Sequence, residues 1–98
     1  MDRTYGVSDI IITERMTAIG QVKAGACKLH WVSCAPAFPG SEIDISDAIE
    51  AGVTPLLEHY HDSREGHIDS FLPPCPFTTG IYLEKFDKMT SVTFGYSV

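Results

Sequence analysis

The final eight residues, "SVTFGYSV", alternate strictly. Val92, Phe94, Tyr96 and Val98 fall on one side of an extended chain, and Ser91, Thr93, Gly95 and Ser97 on the other. Period-two alternation marks a strand with one buried face. The same pattern recurs along most of the chain, cut by Gly, Pro, Asp or Ser at intervals of roughly ten residues. "VSDIIITERMTAI" is β-prone and bounded by Gly6 and Gly20. "ACKLHWVSCA" places Cys27, Leu29, Trp31 and Ser33 on one face and Lys28 and His30 on the other, so Trp31 is expected in the core. In "SEIDISD", Ile43 and Ile45 oppose Glu42, Asp44 and Ser46.

The remaining segments extend the pattern. "DAIEAGVTP" allows one short helical turn, closed by Gly52 and Pro55. "LLEHYH" and "HIDSFL" flank "DSREG", which reads as a hairpin with a five-residue loop. "PPCP" is a rigid break, and "GIYLEKF" puts Ile81 and Leu83 together. Seven or eight short strands and no long helix predict an all-β fold. It is a single-domain antiparallel β-sandwich or jelly roll, with the last strand central. No internal repeat, linker or low-complexity stretch marks a second domain.

Composition limits the function. With 98 residues, 44% of them hydrophobic, the chain suffices for one modest core. Seven basic against thirteen acidic residues give a net charge of −6, which argues against a nucleic-acid partner. No apolar run approaches the ~18 residues of a membrane span, and the start lacks a signal-peptide pattern. A soluble, unexported protein is expected. Cys27, Cys34 and Cys75 form no C-x-x-C and are odd in number. They read as reduced thiols acting as small buried hydrophobes.

The most chemical-looking stretch is "HYHDSREGHID", residues 59–69, which holds three of the four histidines. His59-x-His61-x-x-x-Glu65 resembles the metal-binding core of the cupins. Two imidazoles and a carboxylate would suit Fe(II), Mn(II) or Zn(II). The likeness is partial. Gly52 is one residue too far from His59 for the cupin pattern, Glu65 adjoins Gly66 in the expected turn, and no second motif follows residue 69. Independently of cupins, a hairpin here sets His61 opposite His67 and His59 beside Asp69 on one face. The expectation is a polar tip with no cofactor and no catalytic residue, and His59, His61, Glu65 and His67 are the minority candidates for a metal. Glu42, Asp44 and Asp47 could approach a calcium ion but read as a solvated face. Phosphate-cradling and nucleophile-elbow motifs are missing.

Four ordered stretches, from about Lys23 to Val98, resemble small β-sandwich virion proteins of tailed bacteriophages. "AGACKLHWVSCA" is similar to their first strand, and "SEIDISDAIEAGVTPLL" to the next strand and its Gly-bearing turn. "FLPPCPFTTGIYLEKF" resembles the Pro-x-Phe-x-x-Gly-Ile-Tyr corner, and "SVTFGYSV" the terminal strand. The charged "HYHDSREGHID" departs from the small Gly/Thr-rich hairpins of that group. The resemblance implies a structural, non-enzymatic protein with no catalytic residues. Its expected role is a trimeric capsid decoration (cement) protein that bridges major capsid proteins on the virion surface after synthesis in the host cytoplasm. The alternative is a tail, neck or fibre module, and a cupin-like enzyme is a further one. Residues 1–21 lie outside the resemblance. They are expected to form a β-prone arm that pairs with a neighbour by strand addition, beside a sandwich at 22–98.

Overall fold

The computed structural model of the chain describes residues 10–98. Eight strands follow in order: β1 (Ile12–Met16), β2 (Gly20–Ala24), β3 (Cys27–Pro36), β4 (Ser41–Asp47), β5 (Leu57–His61), β6 (His67–Phe77), β7 (Gly80–Asp87) and β8 (Met89–Ser97). They build two four-stranded sheets, β1-β8-β3-β6 and β2-β7-β4-β5, and every pairing is antiparallel. Each chain connection but β4–β5 crosses from one sheet to the other, which gives the strand order of a jelly roll. The all-β sandwich expected from the alternation is therefore what forms. Among the described residues no helix is long and apolar enough to cross a membrane.

The core lies between the sheets. Leu29, Val32, Val92 and Phe94 from one sheet meet Ile43, Ile45, Ile81 and Leu83 from the other, all fully buried. In β8 the alternation holds from Ser91 to Ser97, and its inward Val92, Phe94 and Tyr96 occupy the middle of the first sheet; before it an irregularity at Thr90 lets Met89 turn inward as well.

β3 behaves differently. Leu29 pairs with Tyr96, but Trp31 pairs with the next residue, Gly95, so His30 is an extra residue that bulges the strand. A bulge re-aims every side chain beyond it. Cys27 and Leu29 point inward before it; Val32 and Cys34 do so after it. Trp31 is turned out of the core, contrary to the expectation from simple alternation. Its indole lies across Gly95, where an added Cβ would overlap the Cε2, Nε1 and Cζ2 atoms. A glycine on the polar face of a central strand thus provides the bed for the ring.

Two carboxylates anchor loops. Asp47 accepts bonds from the backbone N–H of Thr78, Thr79 and Gly80 at 3.0, 2.7 and 3.1 Å, and from the Thr78 hydroxyl at 3.0 Å. It therefore ties the β6–β7 turn to the end of β4. Glu84 accepts from the Ser46 hydroxyl and from the N–H groups of Gly52 and Val53, which fastens the β4–β5 loop over Ser46. That loop contains no helical turn, so the single turn expected at "DAIEAGVTP" does not form.

The proposed boundary at 21/22 falls inside β2. Within the described residues, 12–16 pair with β8 and 20–24 with β7, so both segments are strands of the sandwich rather than a separate arm. Residues 1–9 of that expected arm lie outside the described residues. In residues 12–16 strand pairing outweighs weak burial: the edge strand β1 is exposed along nearly its whole length yet still completes the ladder of β8.

Candidate functional site

β5 and β6 are not a hairpin. β5 pairs with β4 and β6 with β3, in opposite sheets, and Asp62–Gly66 carries the chain across the edge of the sandwich. Five residues reach ~17 Å, enough to cross the ~10 Å between packed sheets. Local sequence therefore leaves hairpin and crossover equally open, and the partners β3 and β4 decide.

The inward positions of the two strands explain the polar cluster. Leu57, His59 and His61 alternate inward from β5, while Glu58 and Tyr60 are exposed. On β6, His67 and Asp69 stand opposite the buried Cys34 and Val32 of β3, which gives them the inward parity. Hydrophobic packing thus ends at Leu57 and Phe71. Beyond it, imidazoles and a carboxylate fill the open end of the sandwich.

Asp69 is the hub. Its Oδ2 lies 2.6 Å from His59 Nδ1 and its Oδ1 2.8 Å from His67 Nε2. The His61 and His67 rings meet edge-on, 5.4 Å between centroids. These are the two juxtapositions expected from the sequence, made across the sheets instead of along a ladder. His61 Nδ1 is buried without a protein partner. Burial lowers the His61 pKa, the rings of His67 and His59 push it the same way, and Asp69 and Asp62 oppose them.

His59, His61, Glu65 and His67 all border one open cavity of about 520 Å³ at this end of the sandwich, but the cupin-like set does not assemble as ligands. Glu65 is exposed in the crossing loop, where its backbone N–H donates to Ser63 Oγ at 3.4 Å. Asp69, two positions beyond the last candidate histidine, takes the place the spacing assigned to Glu65. Among the described residues no three His, Cys, Asp or Glu side chains surround a common point as ligands of an ion. Cys34 offers no thiolate here: burial, aided by Asp69, pushes its pKa up to about 12. Burial raises Cys27 and Cys75 as well, and all three cysteines are free thiols.

The three acidic residues considered for calcium serve different neighbours. Glu42 pairs with Lys85 at 3.0 Å, and Asp47 is occupied by the β6–β7 turn. Asp44 has one carboxylate oxygen buried without a partner. Its pKa is pushed up to about 6 by burial, then by a hydrogen bond with Glu42 and the charges of Glu42 and Glu58.

Sequence reasoning missed the outer face of the first sheet. Pairing aligns Thr13, Gly95, Trp31 and Ser70 in one row, and Arg15, Thr93, Ser33 and Ile68 in the next. A groove of about 420 Å³ runs there between Trp31, Ser33, Ile68, Ser70 and Thr93. The signal was present: Cys27/Leu29 and Val32/Cys34 are apolar pairs of opposite parity within one strand, which demands a bulge between them.

No protein-family model matches the chain, and neither a curated protein nor a solved structure matches it.

Proposed function

We propose that the chain is a structural protein of a tailed-phage virion, a decoration subunit that binds the major capsid protein and assembles as a trimer. The observation that carries this reading is the free edge of β1. One side of β1 pairs with β8, and no strand among the described residues pairs with the other. Ile10, Ile11 and Ile12 are 64, 38 and 41% exposed there. An unpaired edge led in by exposed isoleucines is an adhesive surface unless a partner strand covers it. The other edge of the same sheet is treated differently: β6 carries Pro73, Pro74 and Pro76, which lack the N–H needed for pairing.

Strand addition at β1 is directional, so a head-to-tail contact repeated around a three-fold axis closes a ring. The ordered resemblance to phage virion proteins supports the same assignment, with "PFTTG" forming the corner that Asp47 ties down.

Gold-labelled antibody against the full chain, applied to particles purified from a lysate of the strain encoding it, tests the proposal. Label on particle heads supports it. Label confined to tails or fibres replaces it with the tail, neck or fibre module. Absence of the chain from every particle overturns it.

A further inference from the structure

We infer that the outer face of the β1-β8-β3-β6 sheet is a binding site for a neutral glycan, with Trp31 as its stacking platform. This stands apart from the assembly reading, since it uses the face of the sheet and not the β1 edge.

The position of Trp31 is unusual for its chemistry. The chain has a single tryptophan, and the His30 bulge turns it away from the core. Gly95 then holds it flat: the overlap of a built Cβ with three adjoining indole atoms means the ring covers residue 95 face-on. One face of the indole is packed on the Gly95 backbone, and the residue also lines the groove. A large aromatic held in one orientation loses little entropy when a ligand stacks on it.

The surroundings specify the ligand. Ile68, 65% exposed, supplies a second apolar contact beside the ring. Ser33, Ser70 and Thr93 place three hydroxyls around these two, each able to donate and accept. The hydroxyls engaged by protein groups among the described residues are those of Ser46, Ser63, Thr78 and Ser97. No described residue engages those of Ser33, Ser70 and Thr93. Among the described residues no charged side chain lines the groove.

A matching ligand therefore has a flat apolar face, a rim of hydroxyls and no charge. A pyranose ring meets all three conditions, with C–H groups on one face and hydroxyls at its edge. Single-stranded nucleic acid would also stack on the indole, but it needs cations along its backbone; among the described residues none lines the groove, Arg15 alone shares its rows, and the chain has a net charge of −6. A second protein copy would favour a more apolar patch than one in which three of five lining residues carry hydroxyls.

The sole tryptophan makes the test direct, because all tryptophan emission arises at the site. The full chain is titrated with three neutral hexasaccharides: β-1,4-linked glucose, α-1,4-linked glucose and β-1,4-linked N-acetylglucosamine. At least one should give a saturable blue shift. Ser33→Ala and Ser70→Ala should each weaken that binding about fivefold, the effect of one lost hydrogen bond, without changing the melting temperature. Trp31→Ala, followed by calorimetry and checked for folding by circular dichroism, should abolish the heat of binding. Unchanged emission with all three sugars at about 10 mM, well above millimolar affinity, overturns the inference. So does equal affinity in the wild type and both serine variants. An emission shift that follows protein concentration and ignores sugar also overturns it, and makes this face a contact between copies.

Discussion

His59 and Asp69 meet at 2.6 Å although they belong to opposite sheets and are joined only through the loop that crosses between them. The contact closes one end of the sandwich with polar groups where the hydrophobic packing stops. Removing it by Asp69→Ala should cost about 1 kcal/mol, the typical worth of a partly exposed hydrogen-bonded pair, and lower the melting point by about 5 °C. Amide exchange should quicken in residues 57–69 and stay unchanged in β8.

The same end should be acid-sensitive. Burial makes the folded state disfavour protonated His61, aided by the rings of His67 and His59 and opposed by Asp69 and Asp62. A depressed imidazole contributes its full stability above the unfolded value of about 6.5 and loses it as pH falls below that. Melting temperature should therefore drop between pH 7 and pH 5. In His61→Gln that drop should be shallower, and an identical slope in the two proteins would contradict the assignment.

Asp44 has the opposite sign. Its pKa, pushed up to about 6, means that the fold holds the proton more tightly than the unfolded chain does. Stability on its account is greatest at low pH and declines as pH rises from about 4 to 6. Asp44→Asn should raise the melting point at pH 7, where the wild type has a charge beside Glu42 and Glu58. At pH 4 it should have little effect.

Asp47 is the most demanding carboxylate. Burial pushes its pKa up, but the bonds from Thr78, Thr79 and Gly80 together outweigh this and hold it below the usual range. Its contribution is present at neutral pH and lost as pH falls through the folded-state value. Asp47→Ala should cost about 2 kcal/mol by freeing several donors at once, seen as a fall of about 10 °C in melting temperature.

Assembly gives a mass prediction. The 10.8 kDa chain should run by light scattering at three times its monomer mass. Ile12→Lys, which places a charge on the β1 edge, should yield a folded monomer. An unchanged mass in the variant would remove β1 from the interface.

Much of this architecture could be read from the chain. From Ser91 onward β8 obeys one parity, so the inward Val92, Phe94 and Tyr96 were evident, whereas the inward turn of Met89 before the irregularity at Thr90 was not. The β5 and β6 patterns likewise placed His59 with Asp69 and His61 with His67. What escaped was non-local. Whether "DSREG" folds back or crosses over depends on β3 and β4 claiming the two flanking strands. The displacement of Trp31 depends on His30 finding no partner in β8, and the inclusion of residues 12–16 in the sandwich depends on an open ladder at β8. Glu65 matched a ligand spacing but sits in the loop beside Gly66, as its place in the expected turn indicated, because spacing reports distance along a strand and the loop takes this residue off the strand.

The bulge at His30 makes β3 a strand with two reading frames. Residues before it are decoded by the core in one phase and residues after it in the other, so one inserted residue sets the address of the six that follow. Deleting His30 would exchange those addresses, sending Trp31 and Ser33 inward and Val32 and Cys34 out to solvent. A single-codon deletion there would be felt as a rewriting of half the strand, while most substitutions at the same codon would leave the message intact.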